Sequence, residues 1–272
     1  MSKTILTKEQ EQEIIQKYNA GISKNALHLE YKVSEGTIRR ALRRNNITIR
    51  QVQETNISHY YINSTFFEKD KITRESAYVL GLLASDGNVA RKENCVYIEL
   101  NTADIQLLIE INQALENERE VKTYSRKDRN DTSKLYFFSR KIVEDLAYFN
   151  IIPNKTYANV DFAEHIPDEY FFDFIRGYFD GDGCITKVNS TLRWQLDGAS
   201  LSTFQTIQSF LKKAGIELKI RIEKDKKSTI PKYRLYCYSK KRCEQIFELL
   251  YANNPSLKME RKYKKFLSLL NE

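Results

Sequence analysis

Apolar positions follow a helical period over residues 1–46, lose any clear period over 47–70, and then switch between helical and strand periods to the end of the chain. In the first stretch Thr7 and Gln10 form a capping-box pattern, and Ile14, Ile15 and Tyr18 come next on one face. Gly21 is a permissive stop. Ser23 opens a second helix with Ala26, Leu27 and Tyr31 turned inward, and Ser34 opens a third with Thr37, Ile38, Ala41 and Leu42 inward. Residues 47–70 hold Arg50, several Asn and Ser, and a Tyr/Phe cluster, which reads as a linker ending in a short segment that docks on the next domain.

The remainder reads twice as helix, two strands, helix, two strands, helix. In the first round the strands fall near 88–91, 95–101, 120–125 and 134–139, with a helix near 103–116. In the second they fall near 184–188, 192–198, 217–225 and 232–239, with a helix near 203–214. Alternation in CVYIELN and ELKIRIEK gives each strand one apolar and one polar face. The expected division is 1–46, a linker 47–70, and two halves, 71–160 and 161–272.

The two halves also share residues. AYVLGLLASDGNV at 77–89 matches DFIRGYFDGDGCI at 173–185, with Gly81/Gly177, Asp86/Asp182 and Gly87/Gly183 each 96 positions apart. LYFFSRK at 135–141 returns as LYCYSKK at 235–241, so a loop has gained a few residues. Thr73 and Asp168 are expected N-caps of the two motif helices, and Gly87 and Gly183 their stops. Small residues four apart, Gly81 with Ser85 and Gly177 with Gly181, share a helix face on which two backbones can approach. Paired side by side about a pseudo-twofold axis, the helices would bring Asp86 and Asp182 together at their C-terminal ends.

Composition narrows the partner. Lys plus Arg is 44 against 36 Asp plus Glu, a net charge of +8, which favours an acidic polymer. The 17 Tyr and 14 Phe sit mostly at strand or helix periodicity and read as core. Cys95, Cys184, Cys237 and Cys243 form no CxxC pair, so they read as reduced apolar side chains, with no zinc site. His28, His59 and His165 are too scattered for a local metal cluster. No signal-peptide pattern and no run of eighteen apolar residues occurs, so the expected setting is cytoplasmic, in a bacterium or encoded by a phage, with no membrane partner.

AGISKNALHLEYKVSEGTIRRALRRNNI resembles the helix-turn-helix of site-specific recombinases and of many small DNA-binding modules. The resemblance implies a third helix in the major groove, with Ser34, Glu35 and Thr37 toward base edges and Arg39, Arg40, Arg43 and Arg44 on phosphates. A plain three-helix bundle with a solvated basic face remains the alternative.

Two carboxylates beside two helix C-termini make a strongly negative spot, since each helix end adds about half a negative charge. On a basic protein such a spot calls for divalent cations, and hard oxygen ligands suit Mg²⁺, which shares itself with phosphates. Phosphodiester hydrolysis is the matching chemistry.

The repeated motifs resemble the nine-residue signature of the LAGLIDADG homing endonucleases, in the two-motif single-chain type, over about 200 residues from Tyr60 onward. The implied fold is α+β: a three-helix helix-turn-helix domain and then a pseudo-twofold duplicated αββαββα saddle whose two sheets lie over the DNA major groove. The resemblance further implies Mg²⁺, for which Mn²⁺ can substitute, at Asp86 and Asp182 with Gly87 and Gly183. It implies staggered double-strand cutting at a long asymmetric site, as in mobile genetic elements, and assisting lysines at Lys155 and Lys262 (Lys258 is a weaker match). Water-positioning residues are sought at Asn101 and Ser200. Two departures stand out: the sixth motif position is Asp180 in the second half but Ala84 in the first, and the first motif begins Val79-Leu80.

Strand cations Arg91, Lys92, Arg126, Arg129, Arg193, Lys219, Arg221 and Arg234 are the expected contacts to double-stranded DNA. Duplication supplies both site halves, so a monomer needing no protein partner is expected. The rival class is a transcription regulator that binds DNA without cutting, or a maturase that binds RNA. A recombinase would need a nucleophilic Ser or Tyr among clustered arginines, which the pattern lacks.

Overall fold

The computed structural model describes the chain except residues 1–5, 20, 21, 23, 48, 50–59, 91, 92, 126, 128, 129 and 224–228. Gly21, Ser23 and Arg50 therefore lie outside the described residues. The chain divides into two units, Met1–His59 and Tyr60–Glu272.

In the first unit, α1 (Lys8–Asn19), α2 (Lys24–Glu30) and α3 (Glu35–Arg44) enclose a core built on Ile14, Tyr18, Leu27, Ile38, Ala41 and Leu42. The capping box forms: the Thr7 amide donates to Gln10 Oε1 at 2.9 Å, and the Gln10 amide donates to Thr7 Oγ1 at 3.2 Å. Ser34 caps α3 through its Oγ, which accepts from the Thr37 amide at 3.1 Å.

The second unit repeats one plan. The first round is α4 (Arg74–Asp86), β1 (Gly87–Ala90), β2 (Cys95–Asn101), α5 (Ile105–Ala114), β3 (Lys122–Tyr124), β4 (Thr132–Phe138) and α6 (Arg140–Tyr148). The second is α7 (Phe171–Asp182), β5 (Gly183–Val188), β6 (Thr191–Gly198), α8 (Leu201–Lys213), β7 (Lys219–Glu223), β8 (Lys232–Tyr238) and α9 (Lys240–Tyr251), and then α10 (Glu260–Asn271). Each half has an antiparallel sheet, ordered β1-β2-β4-β3 and β5-β6-β8-β7. The duplicated αββαββα architecture read from the sequence is the fold of this unit.

Register fixes which side chains face out. In β4, Ser133, Leu135 and Phe137 are buried while Lys134, Tyr136 and Phe138 between them are not. That alternation lays one face of the sheet on the core and leaves the other open.

The motif helices α4 and α7 form the centre. At Gly81 an added Cβ would stand 2.0 Å from the Phe174 carbonyl oxygen, and at Gly177 it would stand 1.9 Å from that of Tyr78. Each glycine meets the backbone of the opposite helix at matching places 96 positions apart, which is the reciprocity of a twofold contact.

The two helices begin differently. Thr73 caps α4 in a capping box with Ser76. Asp168, expected to do the same for α7, instead opens a short 3-10 turn, Asp168–Tyr170, and α7 starts at Phe171 with no side-chain cap. Both helices stop at the expected glycine, though in extended rather than left-handed backbone (φ −78° at Gly87 and −86° at Gly183). A side chain there would strike the last turn: a Cβ at Gly87 falls 2.6 Å from Leu83 Cα, and one at Gly183 falls 2.6 Å from Phe179 Cα.

Candidate active site

Because α4 and α7 pack in parallel register, Asp86 and Asp182 emerge together, each one residue before the strand that turns away. An added Cβ at Gly181 would lie 3.0 Å from Asp86 Oδ2, so the first-half acid rests against the last turn of the second-half helix. Two lysines close the helix ends. Lys155 Nζ donates to the Ser85 carbonyl at 3.1 Å and to that of Gly87 at 2.6 Å. Lys262 Nζ donates to the carbonyls of Phe179, Gly181 and Gly183 at 2.8, 2.7 and 2.8 Å. An ammonium on the orphan carbonyls of a helix C-terminus is favourable on both hydrogen-bond and dipole grounds. Gly87 and Gly183, expected in a metal set, thus offer their carbonyls to lysine. Lys258, the weaker choice, turns instead to Asn254 Oδ1 and the Pro255 carbonyl.

Burial pushes the Asp182 carboxyl up to about 6, the Asp86 charge adds to the rise, and Lys155 and then Lys262 oppose it. Asp86 is raised by burial against the pull of Lys262 and then Lys155. Burial lowers both lysines. The charges of Asp182 and then Asp86 oppose that fall at Lys155, and those of Asp180, Asp86 and then Asp182 oppose it at Lys262, so each lysine is held in part by an acid of the opposite half. A cleft of about 330 Å³ shows one such pairing: Ser85 and Lys155 of the first half line it with Tyr178, Asp182 and Asp197 of the second.

A carboxyl whose folded pKa lies above its ordinary value of 3.8 costs nothing below that value and its full penalty above the raised one. The metal-free protein therefore loses stability at this site as pH rises from about 4 through about 6. Asp182→Asn removes the loss. Both acids reach solvent, so screening holds the gain to about 1 kcal/mol. Thermal melts in chelator are expected to show the variant more stable than the unmutated protein near pH 8, with the difference vanishing near pH 4.

The strands beside the acids carry residues that sequence reasoning missed. Glu99 on β2 pairs across the sheet with Lys134 at 2.8 Å, and Asp197 on β6 pairs with Arg234 at 2.6 Å. Alternation in CVYIELN already put Glu99 on the polar face, but its partner needed the register. The two residues named for water positioning make local hydrogen bonds. Asn101 Oδ1 accepts from the Ala103 amide, opening a 3-10 turn. Ser200 caps α8 and donates to the Val160 carbonyl at 2.6 Å, so its hydroxyl is already engaged although it lines the cleft.

Arg193, Lys219, Arg221 and Arg234 lie on the outward face of the second sheet, as their strand positions require. Arg193 lies 5.8 Å from the Tyr238 ring centroid and Arg221 5.4 Å from that of Tyr236. The first sheet presents Lys134 over Tyr97 and Tyr124, at 5.1 and 5.6 Å. Arg91, Lys92, Arg126 and Arg129 lie outside the described residues. In the first unit Arg39, Arg40, Arg43 and Arg44 are all exposed. Three have intramolecular partners: Arg39 pairs with Glu35 at 3.4 Å, Arg40 donates to the Gly36 carbonyl at 3.2 Å, and Arg44 pairs with Glu11 of α1. Glu35 is further held by Lys24 at 3.3 Å, and the hydroxyls of Ser34 and Thr37 meet at 2.9 Å. None of the described helices is long and apolar enough to cross a membrane.

Two sheets joined by a reciprocal helix pair, with an acid at the end of each helix, define the duplicated fold of the LAGLIDADG type. Residues 169–250 match the family model of the LAGLIDADG-like domain. An uncharacterized protein of Methanocaldococcus jannaschii is 28% identical over 202 residues, covering 69% of this chain and 71% of that protein. Among solved structures, the meganuclease I-SmaMI bound to uncleavable DNA has a TM-score of 0.49 at 13% identity, covering 72% of this chain and 88% of that one. A mesophilic variant of the homing endonuclease I-DmoI has a TM-score of 0.48 at 16% identity, covering 69% and 96%. The N-terminal LAGLIDADG domain of DUF199/WhiA has a TM-score of 0.47 at 15% identity, covering 79% and 97%.

Proposed function

We propose that this protein is a site-specific endonuclease that hydrolyses both strands of double-stranded DNA with a divalent cation. One observation carries the reading. Two carboxylates stand at the abutting ends of the paired motif helices, and a half-buried lysine closes the carbonyl end of each, Lys155 on the first and Lys262 on the second. No third His, Cys, Asp or Glu joins them in a cluster among the described residues. The donor set is thus two carboxylates and water, which fits a hard cation such as Mg²⁺ that keeps most of its own waters, with Mn²⁺ as a substitute.

Such a cation, held by Asp86 and Asp182, would lower the pKa of a bound water and offset charge at the scissile phosphate. The chain's own groups do the rest. Asp86 with Lys262 and Asp182 with Lys155 form two crossed centres, one for each strand. In each, the lysine both neutralises the helix end and opposes phosphate charge. Asp197, held by Arg234 and by the Gln195 amide, is placed in the cleft to orient a water beside Asp182. The outward sheet faces, with their cation–tyrosine pairs, take the major groove. The three-helix unit adds a helix-turn-helix contact in which DNA displaces the internal pairings of the α3 arginines. Asymmetry between the halves implies an asymmetric site and a monomer; an obligate dimer by light scattering would contradict that.

Selection of bound duplexes from a random pool in EDTA, with Mg²⁺ added afterwards, tests the reading. A single long sequence is expected to be retained, with binding that weakens steeply with salt, and then to be cut in both strands. Retention without any cut makes the protein a DNA-binding regulator.

A further inference from the structure

Asp180 lies two residues before Asp182 on α7 and is fully buried. Its Oδ2 accepts from the Tyr78 hydroxyl of α4 at 2.8 Å and from the Met259 amide at 2.8 Å. Met259 is the N-cap residue of α10, the helix that carries Lys262, and it has no side-chain cap of its own. Asp180 therefore supplies from α7 what a local Glu at the third helical position supplies in a capping box: an acceptor for the N-cap amide and a negative charge at the positive end of the dipole.

One turn earlier on α7, Arg176 donates to the carbonyls of Leu257 at 3.0 Å and Leu250 at 2.8 Å, tying down the chain that leads to Met259. The rest of α10 is seated independently by Phe266 in the core, and the first turn has one other tether, Arg261 on Asp104 at 2.9 Å. Loss of the Asp180 contact would therefore loosen the first turn, where Lys262 sits, and leave the helix docked. The first half has no counterpart. Ala84 occupies the equivalent place on α4, and Lys155 stands in the three-residue turn Lys155–Tyr157.

We infer that Asp180 is the positioning residue of Lys262, so that one of the two active-site lysines depends on a buried carboxylate the other half lacks. The consequence for cutting rests on the reading of Lys262 as part of a phosphodiester-cleaving centre; the positioning does not.

Two measurements on the full chain separate them. The first is residue-resolved acylation of lysine amines in the free protein. Asp180→Ala is expected to raise modification of Lys262 about tenfold while leaving Lys155 unchanged, and Asp180→Asn, which keeps an acceptor oxygen, to stay near the unmutated level. An unchanged Lys262 in Asp180→Ala overturns the inference. The second tracks each strand of the selected duplex. Asp180→Ala is expected to slow one strand roughly ten- to hundredfold, the same strand that Lys262→Ala slows, with Asp180→Asn restoring most of the rate. Equal slowing of both strands overturns the inference. If Lys262 becomes reactive as expected while no form of the protein cuts either strand, the positioning stands and the nuclease reading falls.

Discussion

Gly177→Ala is expected to destabilise the second unit by about 4 kcal/mol or more, and Gly81→Ala by a similar amount. A single methyl group rarely does this. Here the new carbon would be driven to 1.9 Å from the Tyr78 carbonyl oxygen in one case and 2.0 Å from the Phe174 oxygen in the other, and both obstacles are helix backbone. A flexible side chain could swing away; a helix can yield only by separating from its partner. Separation would also expose apolar surface of α4, where Tyr78, Val79, Leu80, Leu82 and Leu83 are all fully buried. Gly36→Ala is the opposite-sign control. A Cβ there meets nothing nearer than Ser34 Oγ at 3.7 Å, so the exchange should stabilise α3 by roughly 0.5–1 kcal/mol. Calorimetry on the three variants checks both signs. A Gly177→Ala protein that melts within a degree or two of the unmutated one would mean that the helices do not meet as closely as described.

Arg176→Met is expected to cost about 3–5 kcal/mol. Arg176 is buried, yet every face of its guanidinium is used. It pairs with Asp173 at 2.7 Å, donates to two carbonyls of the 250–257 segment, and lies 5.1 Å from the Tyr78 ring centroid. Removing it strands Asp173, 3% exposed, with only Arg74 at 3.3 Å from the solvent side, and orphans the Leu250 and Leu257 carbonyls. Desolvated groups without partners are what make such a loss large. Asp173→Asn combined with Arg176→Met should therefore recover part of it, because the uncompensated charge is gone. Urea unfolding of the two proteins measures the difference. A loss under about 1 kcal/mol for the single variant would show that water replaces the guanidinium.

Much of the second unit was readable because it is written twice. Gly81/Gly177 and Asp86/Asp182 recur at one spacing, which is how a pair of parallel helix ends can be deduced before any contact is known. Local chemistry was equally legible: the capping residues Thr7, Ser34 and Thr73 act through neighbours three positions away. Lys155 and Lys262, placed by resemblance, reach the motif carbonyls.

The features that failed to show depend on partners distant in sequence. Asp180 could be seen to break the symmetry of the motifs, but its partner Met259 is 79 positions on. Arg176 has nothing in its sequence surroundings to say that two carbonyls and a carboxylate wait for it. Glu99 and Asp197 were hidden by register, which sets their cross-strand cations. Asn101 and Ser200 were polar residues at the right depth of the strand reading, but each lies where a strand gives way to a helical turn, and capping claims such side chains first. Asp168 failed for the inverse reason: a 3-10 turn took up the approach to α7 and left it no amide to cap.

The most direct test of the account is strand-resolved cleavage of the selected duplex in Mg²⁺ by the unmutated protein and by the Asp86→Asn, Asp182→Asn double variant. Cuts in both strands are expected of the former and a fall of at least about a thousandfold in the latter, with affinity for the duplex in EDTA no weaker once the two negative charges are gone. Tight and specific binding by both proteins with no cut by either would contradict it.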